Sequence, residues 1–392
     1  MINFEYHSPT KIVFGKDSEK KIGGLLKPHA SKILLHYGGG SIKDSGLYDR
    51  VVQSLSENEI EFVELGNVKP NPRLSLVNEG IKLCKKENIE LILAVGGGSV
   101  IDSAKAIAMG VLYEGDLWED VYENGKFAEA ALPVATILTI PAAGSETSNV
   151  SVITNEELMH KIPGRSNYIK PLLSIINPEL FFTVPKYQIA CGVADMMSHV
   201  MERYFTTTMH TDLTDGLCES TLKTVMKNAP LILENPQNYD AWCEIGFSAT
   251  VAHNGLLGMG REQEWTCHPM EHGFGSAYDT IHGEGLAILF PAWMEYVYKE
   301  NVGMFVQFAV NVMGVQGNLR NQEDVALEGI RCLRKFFMEI GLPSKLSEIG
   351  VEERFEEMAK SCTGADSGKE NPLGNLKTLY WQNVKEIYEM VK

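Results

Sequence analysis

The chain has 392 residues, of which 44% are hydrophobic and 22% charged; this is a globular composition, long enough for two domains and unlike a disordered chain. Its 51 acidic and 35 basic residues leave a formal charge of −16, which argues against a nucleic-acid partner and against anionic membranes. The opening Met1-Ile2-Asn3-Phe4-Glu5-Tyr6 lacks the basic and apolar stretches of a signal peptide, no apolar run can span a bilayer, and seven scattered cysteines without CxxC suggest a reducing cytoplasm and no disulfide framework.

Along the chain, residues 5–14 read as extra β-structure at a sheet edge. Short β-rich runs then alternate with helical patterns: strands at 32–37, 60–65, 90–95 and 133–140, and helices at 45–55, 75–87 and 100–109. Such alternation predicts a doubly wound parallel sheet, an α/β dinucleotide-binding domain over residues 1–184. Thr183-Val184-Pro185 reads as the cap and first turn of a helix that opens a second half. Long helical patterns at 194–205, 213–227, 240–250, 286–298 and 322–340 make residues 185–392 an all-helical domain.

Gly96-Gly97-Gly98-Ser99 follows a predicted strand and opens a predicted helix. Glycines let the backbone turn tightly and approach a ligand, and the free N–H groups of the helix start suit a pyrophosphate. The spacing is not GxGxxG, and a strand–helix turn that binds nothing has the same composition. Asp102 falls in the first helical turn. An echo, Gly38-Gly39-Gly40-Ser41, also follows a strand and has no acid before Asp44. An NAD site commonly sets an acid against the ribose 2′-OH, whereas Gly39, Ser41 and Lys43 leave room and donors for a 2′-phosphate.

Histidines and one aspartate make the sharper pattern. Asp195 and His199 are four apart on a helical face, His268 and His272 are four apart, and His282 follows in Ile281-His282-Gly283-Glu284-Gly285. One carboxylate with several imidazoles is a donor set for a divalent transition metal. Each pair alone reads equally as a cap or a buried ion pair. Cys267 adjoins His268, but neighbours on a helix point about 100° apart, so it is set aside. Glu271 with His272, or Asp279 with His282, would suit a hydrolase, but no G-x-S-x-G elbow or HExxH accompanies them. His36, His160, His210 and His253 read as structural.

These motifs together resemble the iron-containing (group III) alcohol dehydrogenases, in particular the bacterial butanol dehydrogenase and aldehyde reductase branch. The matching stretches are Gly96-Gly-Gly-Ser-Val-Ile-Asp-Ser-Ala-Lys105, Pro141-Ala-Ala-Gly-Ser-Glu146, Ala194-Asp-Met-Met-Ser-His199, His268-Pro-Met-Glu-His272 and His282-Gly-Glu-Gly-Leu-Ala-Ile288, with Pro9-Thr-Lys-Ile-Val-Phe-Gly15 and Lys69-Pro-Asn-Pro72. The resemblance covers essentially the whole chain in order.

It implies a dehydroquinate synthase-like fold, with a nicotinamide dinucleotide on the α/β domain and a metal on the helical domain, in the cleft between them. The metal-ligand positions fall on Asp195, His199, His268 and His282, and the ion would be Fe2+ or Zn2+. His272 matches a histidine near the substrate that is not a ligand. Gly97, Gly98, Ser99 and Asp102 match the pyrophosphate loop, and Asn71, Thr139, Ser145 and Lys161 fall where the family touches the cofactor. Gly39 and Ser41 stand where NAD-preferring members carry an aspartate, which favours NADP(H) over NAD(H). Ala143 replaces a threonine frequent in relatives. The implied reaction is hydride transfer between the nicotinamide and a primary alcohol or aldehyde such as butanol or butanal, by a homodimer. The alternative is a dehydroquinate synthase-like or glycerol-phosphate dehydrogenase-like enzyme on the same fold, which would need clustered Lys and Arg; only Arg203 and Arg261 lie near the metal motifs.

Overall fold

Six short strands pair into one all-parallel sheet: β1 (Lys11–Phe14), β2 (Lys32–Tyr37), β3 (Glu61–Leu65), β4 (Leu91–Gly96), β5 (Val134–Leu138) and β8 (Leu173–Ile176), in the order β1-β8-β5-β4-β2-β3. The structure, a computed structural model, describes residues 1–317 and 321–392. Strand β4 is buried along its whole length, the pattern of a parallel strand covered on both faces. Helices α1 (Ile22–Leu26), α2 (Ser41–Asp44), α3 (Leu47–Glu57), α4 (Leu74–Glu87) and α5 (Gly98–Leu112) connect the strands. One face of the sheet, including Ile33, Leu35, Leu93 and Ile137, packs on Ile42, Leu47, Val51 and Leu55 from α2 and α3. Residues 11–14 do form the edge strand expected of the opening segment.

The chain runs from β2 out to β3 and then returns to the other side of β2 to form β4. The strand order therefore reverses at the β2–β4 pair, where Tyr37 is in register with Val95. Ligands of open α/β sheets bind beyond the carboxyl ends of strands at such a reversal. Both glycine loops leave from there.

Three elements of this half have no clear signal in the sequence. Strand β8 is a short apolar run between prolines, and β6 (Val150–Asn155) and β7 (His160–Arg165) form an antiparallel hairpin whose second strand contains Pro163 and Gly164. Both residues weaken a strand pattern. The hairpin is held on α5, where the Asp102 carboxylate accepts the Val152 N–H at 2.9 Å and the Asp102 carbonyl accepts the Ser151 hydroxyl at 2.8 Å.

The chain divides into two units, His7–Thr183 and Val184–Lys392, the second joined by Met1–Tyr6. The first six residues, expected with the α/β half, associate instead with the helical one. The Met1 ammonium donates to the Met209 carbonyl at 2.6 Å and the Ile2 N–H to the Gly260 carbonyl at 2.9 Å. A segment with no ladder partners of its own takes backbone partners where they are offered.

The second unit is helical: α6 (Lys186–Tyr204), α7 (Asp212–Glu234), α8 (Tyr239–His253), α9 (Cys267–Tyr278), α10 (His282–Val297), α11 (Val302–Asn311), α12 (Gln322–Glu339), α13 (Phe355–Thr363) and α14 (Trp381–Met390). Pro185 is the N-cap of α6, which starts eight residues before the expected 194 and buries Ile189, Cys191 and Val193. Among the described residues no helix is long and apolar enough to cross a membrane. All seven cysteines are free thiols.

Candidate active site

Asp195 and His199 sit one turn apart on α6, His268 in the first turn of α9, and His282 at the start of α10. Gly283 brings α10 onto α6: a Cβ there would lie 2.0 Å from the Cys191 carbonyl oxygen, so only glycine allows this approach. The Asp195 Oδ1 atom is the hub. It lies 3.0 Å from His199 Nδ1, 3.8 Å from His268 Nε2 and 3.9 Å from His282 Nε2. Asp195, His268 and His282 each offer a donor atom within 4.8 Å of the others. His199 stands outside that triplet but beside it, its ring centroid 4.5 Å from that of His268.

Asp195 Oδ1 and His268 Nε2 are buried, and apart from the His199 Nδ1 close to Oδ1 neither has a hydrogen-bond partner. Such atoms carry a desolvation cost that a bound cation would remove. Carboxylate oxygen and imidazole nitrogen are also the donor types a divalent transition metal takes, so these residues fit the ion that the sequence implies. Access is one-sided: the His282 side chain is 24% exposed and that of Asp195 8%.

Without an ion the cluster couples strongly to protons. Burial would raise the Asp195 carboxyl, but His199, His268 and His282 outweigh it and hold it well below the usual carboxylate range. Burial pushes His199 down to about 4, against the pull of Asp195. Burial also works against a charged His268, yet the carboxylates of Asp195 and Glu202 raise it to about 9.

Sequence reasoning missed several members of this region. Glu202 accepts from His268 Nδ1 at 3.0 Å, and its place on α6, three residues after His199, is on the same helical face. Glu271 pairs with His282 Nδ1, eleven residues away, and with His272 and His282 forms a second group whose donor atoms lie within 4.8 Å of one another. His253, expected to lack partners, has its ring centroid 4.2 Å from that of His199. Trp265 lies edge-on to His268 at 5.3 Å, with the Arg203 guanidinium 4.7 Å from its centroid. His272 is half-buried on α9, its ring 5.5 Å from that of His282. Cys267 belongs to neither possible metal-binding group among the described residues; burial holds its thiol well above the usual range.

In the α/β unit, Gly97 caps α5 with φ −87° and Gly98 and Ser99 begin the helix. None of Gly96, Gly97 or Gly98 has a positive φ, so their requirement is closeness rather than handedness. A Cβ on Gly96 would lie 2.4 Å from Val100 Cγ2. Ser145 donates to the Asp102 carboxylate, joining two of the expected cofactor residues. Thr139 follows β5, its N–H donating to the Gly96 carbonyl at 3.1 Å. Thr154 pairs with Lys161 across the hairpin and donates its N–H at 2.8 Å to the carbonyl of Pro72, the residue after Asn71. Gly39 and Ser41 are exposed beyond β2.

Lys105, which carries no role in the sequence reading, organises this loop. It is fully buried, and its ammonium donates to the Ser145 carbonyl at 2.5 Å, the Ser148 carbonyl at 3.0 Å and the Val150 carbonyl at 3.0 Å. Burial lowers it to about 8.

Residues 9–178 match the iron-containing alcohol dehydrogenase family, and residues 188–391 match the C-terminal part of the Fe-containing alcohol dehydrogenase family. The NADH-dependent butanol dehydrogenase A of Clostridium acetobutylicum is 41% identical over 391 residues, 99% of each chain. The NADPH-dependent aldehyde reductase YqhD of Escherichia coli is 33% identical over 357 residues, 90% of each chain. The crystal structure of a butanol dehydrogenase A from Thermotoga maritima superposes with a TM-score of 0.95 at 41% identity, covering 100% of this chain and 99% of that one. A family of this kind implies a nicotinamide cofactor and a divalent metal. The chain belongs to the iron-containing alcohol dehydrogenase family and is an NAD(P)-dependent oxidoreductase of alcohols and aldehydes.

Proposed function

We propose that Asp195, His199, His268 and His282 hold one divalent ion, and that the chain interconverts a short primary alcohol and its aldehyde, such as butanol and butanal, with NADP(H). One observation carries the metal assignment: the buried Asp195 Oδ1 and His268 Nε2, 3.8 Å apart with no hydrogen bond between them. When bound, the ion supplies Lewis-acid polarisation of the substrate oxygen and the nicotinamide supplies or takes the hydride.

The chain's own residues do the rest. Three neutral imidazoles and one carboxylate leave a dipositive ion with one net positive charge. The exposed flank of His282 is the side from which a substrate enters, and the His272 imidazole passes a proton between the substrate oxygen and solvent. Gly97, Gly98 and Ser99 present the α5 N-terminus to the pyrophosphate. Asn71, Asp102, Thr139, Ser145 and Lys161 line the remainder of the cofactor site. An N3O donor set holds Zn2+ more tightly than Fe2+ by the Irving–Williams order, so the ion found follows supply as well as affinity.

The NADP(H) preference is supported by Gly39 and Ser41, which leave the ribose end without an acid. The NADH named for the Clostridium relative supports the opposite preference. A dehydroquinate synthase-like reaction is disfavoured by both nearby arginines being committed. Arg203 donates to the His199 carbonyl at 2.5 Å, and Arg261 to Asp215 Oδ1 at 2.6 Å. A homodimer is proposed from family habit, and the mass in solution checks it. The reading as a whole is tested by initial rates of butanal reduction with NADPH and with NADH, on protein reloaded separately with Fe2+ and Zn2+. Faster turnover with NADPH supports it. Faster turnover with NADH overturns the cofactor preference, and no turnover in metal-loaded protein overturns the substrate.

A further inference from the structure

Two carboxylates outside the proposed ligand set face it from behind. Glu202 is fully buried. Its Oε1 accepts from Cys267 N–H at 2.9 Å, His268 N–H at 3.2 Å and His268 Nδ1 at 3.0 Å, while Oε2 accepts from Thr266 N–H at 3.1 Å. Glu271, on α9, is equally buried and pairs with His282 Nδ1. On both rings the other nitrogen, Nε2, is the one that approaches Asp195 Oδ1, at 3.8 and 3.9 Å.

We infer that Glu202 and Glu271 are positioning residues for the metal: each fixes the ring plane and tautomer of one histidine and commits its Nε2 to the ion. The inference rests on the ligand set proposed above. An ionised carboxylate only accepts hydrogen bonds, so the Nδ1 facing it carries the proton and Nε2 keeps its lone pair. A carboxylate behind a ligand imidazole also makes that imidazole a stronger donor.

The two carboxylates divide the work unequally. Glu202 also accepts the N–H groups of residues 266–268, where α9 begins, so it occupies a helix N-terminus that stabilises its buried charge. One side chain on α6 thereby sets both the start of α9 and the ring of His268. Glu271 lies within α9 and orients a histidine of α10 across the interhelix turn. Loss of Glu202 therefore perturbs fold and metal together, whereas loss of the Glu271 charge weakens the metal with little effect on the fold.

The test is the Co2+ affinity of the full chain, measured by competition with a chromogenic chelator, alongside the melting temperature of the metal-free protein. Five proteins are compared: the intact chain, Glu271→Gln, Glu271→Asp, Glu202→Gln and His268→Ala. The expected result is a 10- to 100-fold weaker Co2+ affinity in Glu271→Gln, with the metal-free melting temperature unchanged, and weaker affinity with a lowered melting temperature in Glu202→Gln. Glu271→Asp should recover part of the affinity. Co2+ binding within twofold of the intact chain in both Gln variants, while His268→Ala fails to bind, overturns the positioning role alone. An intact chain that takes up no Co2+, or a His268→Ala variant that binds as well as it does, overturns the ligand set and this inference with it.

Discussion

Asp195 Oδ1 and His268 Nε2 face each other across 3.8 Å in a buried site, with no hydrogen bond between them. That separation is too long for a direct bond. A buried polar atom left unsatisfied costs about 1–3 kcal/mol, yet α6 and α9 hold both in place. A cation between them offsets that cost, so the ion should stabilise the folded chain. Metal at a hundred times its dissociation constant adds about 2.7 kcal/mol. The melting temperature should rise with added Zn2+ in the intact chain and stay flat in Asp195→Asn.

A second prediction concerns acid stability and lies in the other unit. His36 is fully buried in β2, its Nδ1 2.8 Å from the Leu65 carbonyl and its Nε2 2.9 Å from the Ser103 hydroxyl. Burial lowers its pKa from 6.5 to about 4. The folded state then binds fewer protons than the unfolded chain between these values, so stability rises with pH there. The contribution is complete above about pH 6.5 and is lost as pH falls towards 4, a change of about 3 kcal/mol. Denaturant unfolding at pH 6.5 and pH 4 should show a smaller loss in His36→Asn than in the intact chain by that amount. Equal losses would contradict the assignment.

Removing the Lys105 ammonium should be costly. Lys105→Met would leave the carbonyls of Ser145, Ser148 and Val150 without their shared donor. Breaking a buried charged network from one side costs about 3 kcal/mol or more. Unfolding should show that loss, and nucleotide affinity should fall as well, because the same loop carries Ser145. Stability equal to that of the intact chain would show that the network does not anchor the loop.

The proposed NADP(H) preference should weaken with a charge at an exposed position. Gly39→Asp sets a negative charge where a 2′-phosphate is proposed to lie. Like charges brought together cost enough to lower the NADPH-to-NADH ratio of kcat/KM about tenfold or more. An unchanged ratio would place the 2′ recognition elsewhere.

The parallel sheet was legible because its strands are apolar runs between helical patterns, and β2 and β4 match residues 32–37 and 90–95 nearly to the residue. Asp195, His199, His268, His272 and His282 were legible as candidates because histidines are few and two pairs have helical four-residue spacing; the choice of Asp195, His199, His268 and His282 as ligands rests on the family resemblance. The hairpin at 150–165 was not, because Pro163 and Gly164 erase a strand pattern that packing on Asp102 restores. Glu202 and Glu271 were hidden for a different reason. Their partners lie on other helices, and a glutamate that holds an imidazole is indistinguishable in sequence from one facing solvent. Gly96 was legible as part of a tight strand–helix turn, but the sequence does not show that a Cβ there would meet Val100.

The central claim is that Asp195, His199, His268 and His282 hold one catalytic ion. Its most direct test is the metal content per chain of intact protein and His268→Ala after equal Zn2+ reloading and desalting, with butanal reduction measured on the same samples. The account predicts one ion per intact chain, and for His268→Ala loss of both the ion and turnover. A His268→Ala variant that keeps a full complement of metal and its activity would contradict it.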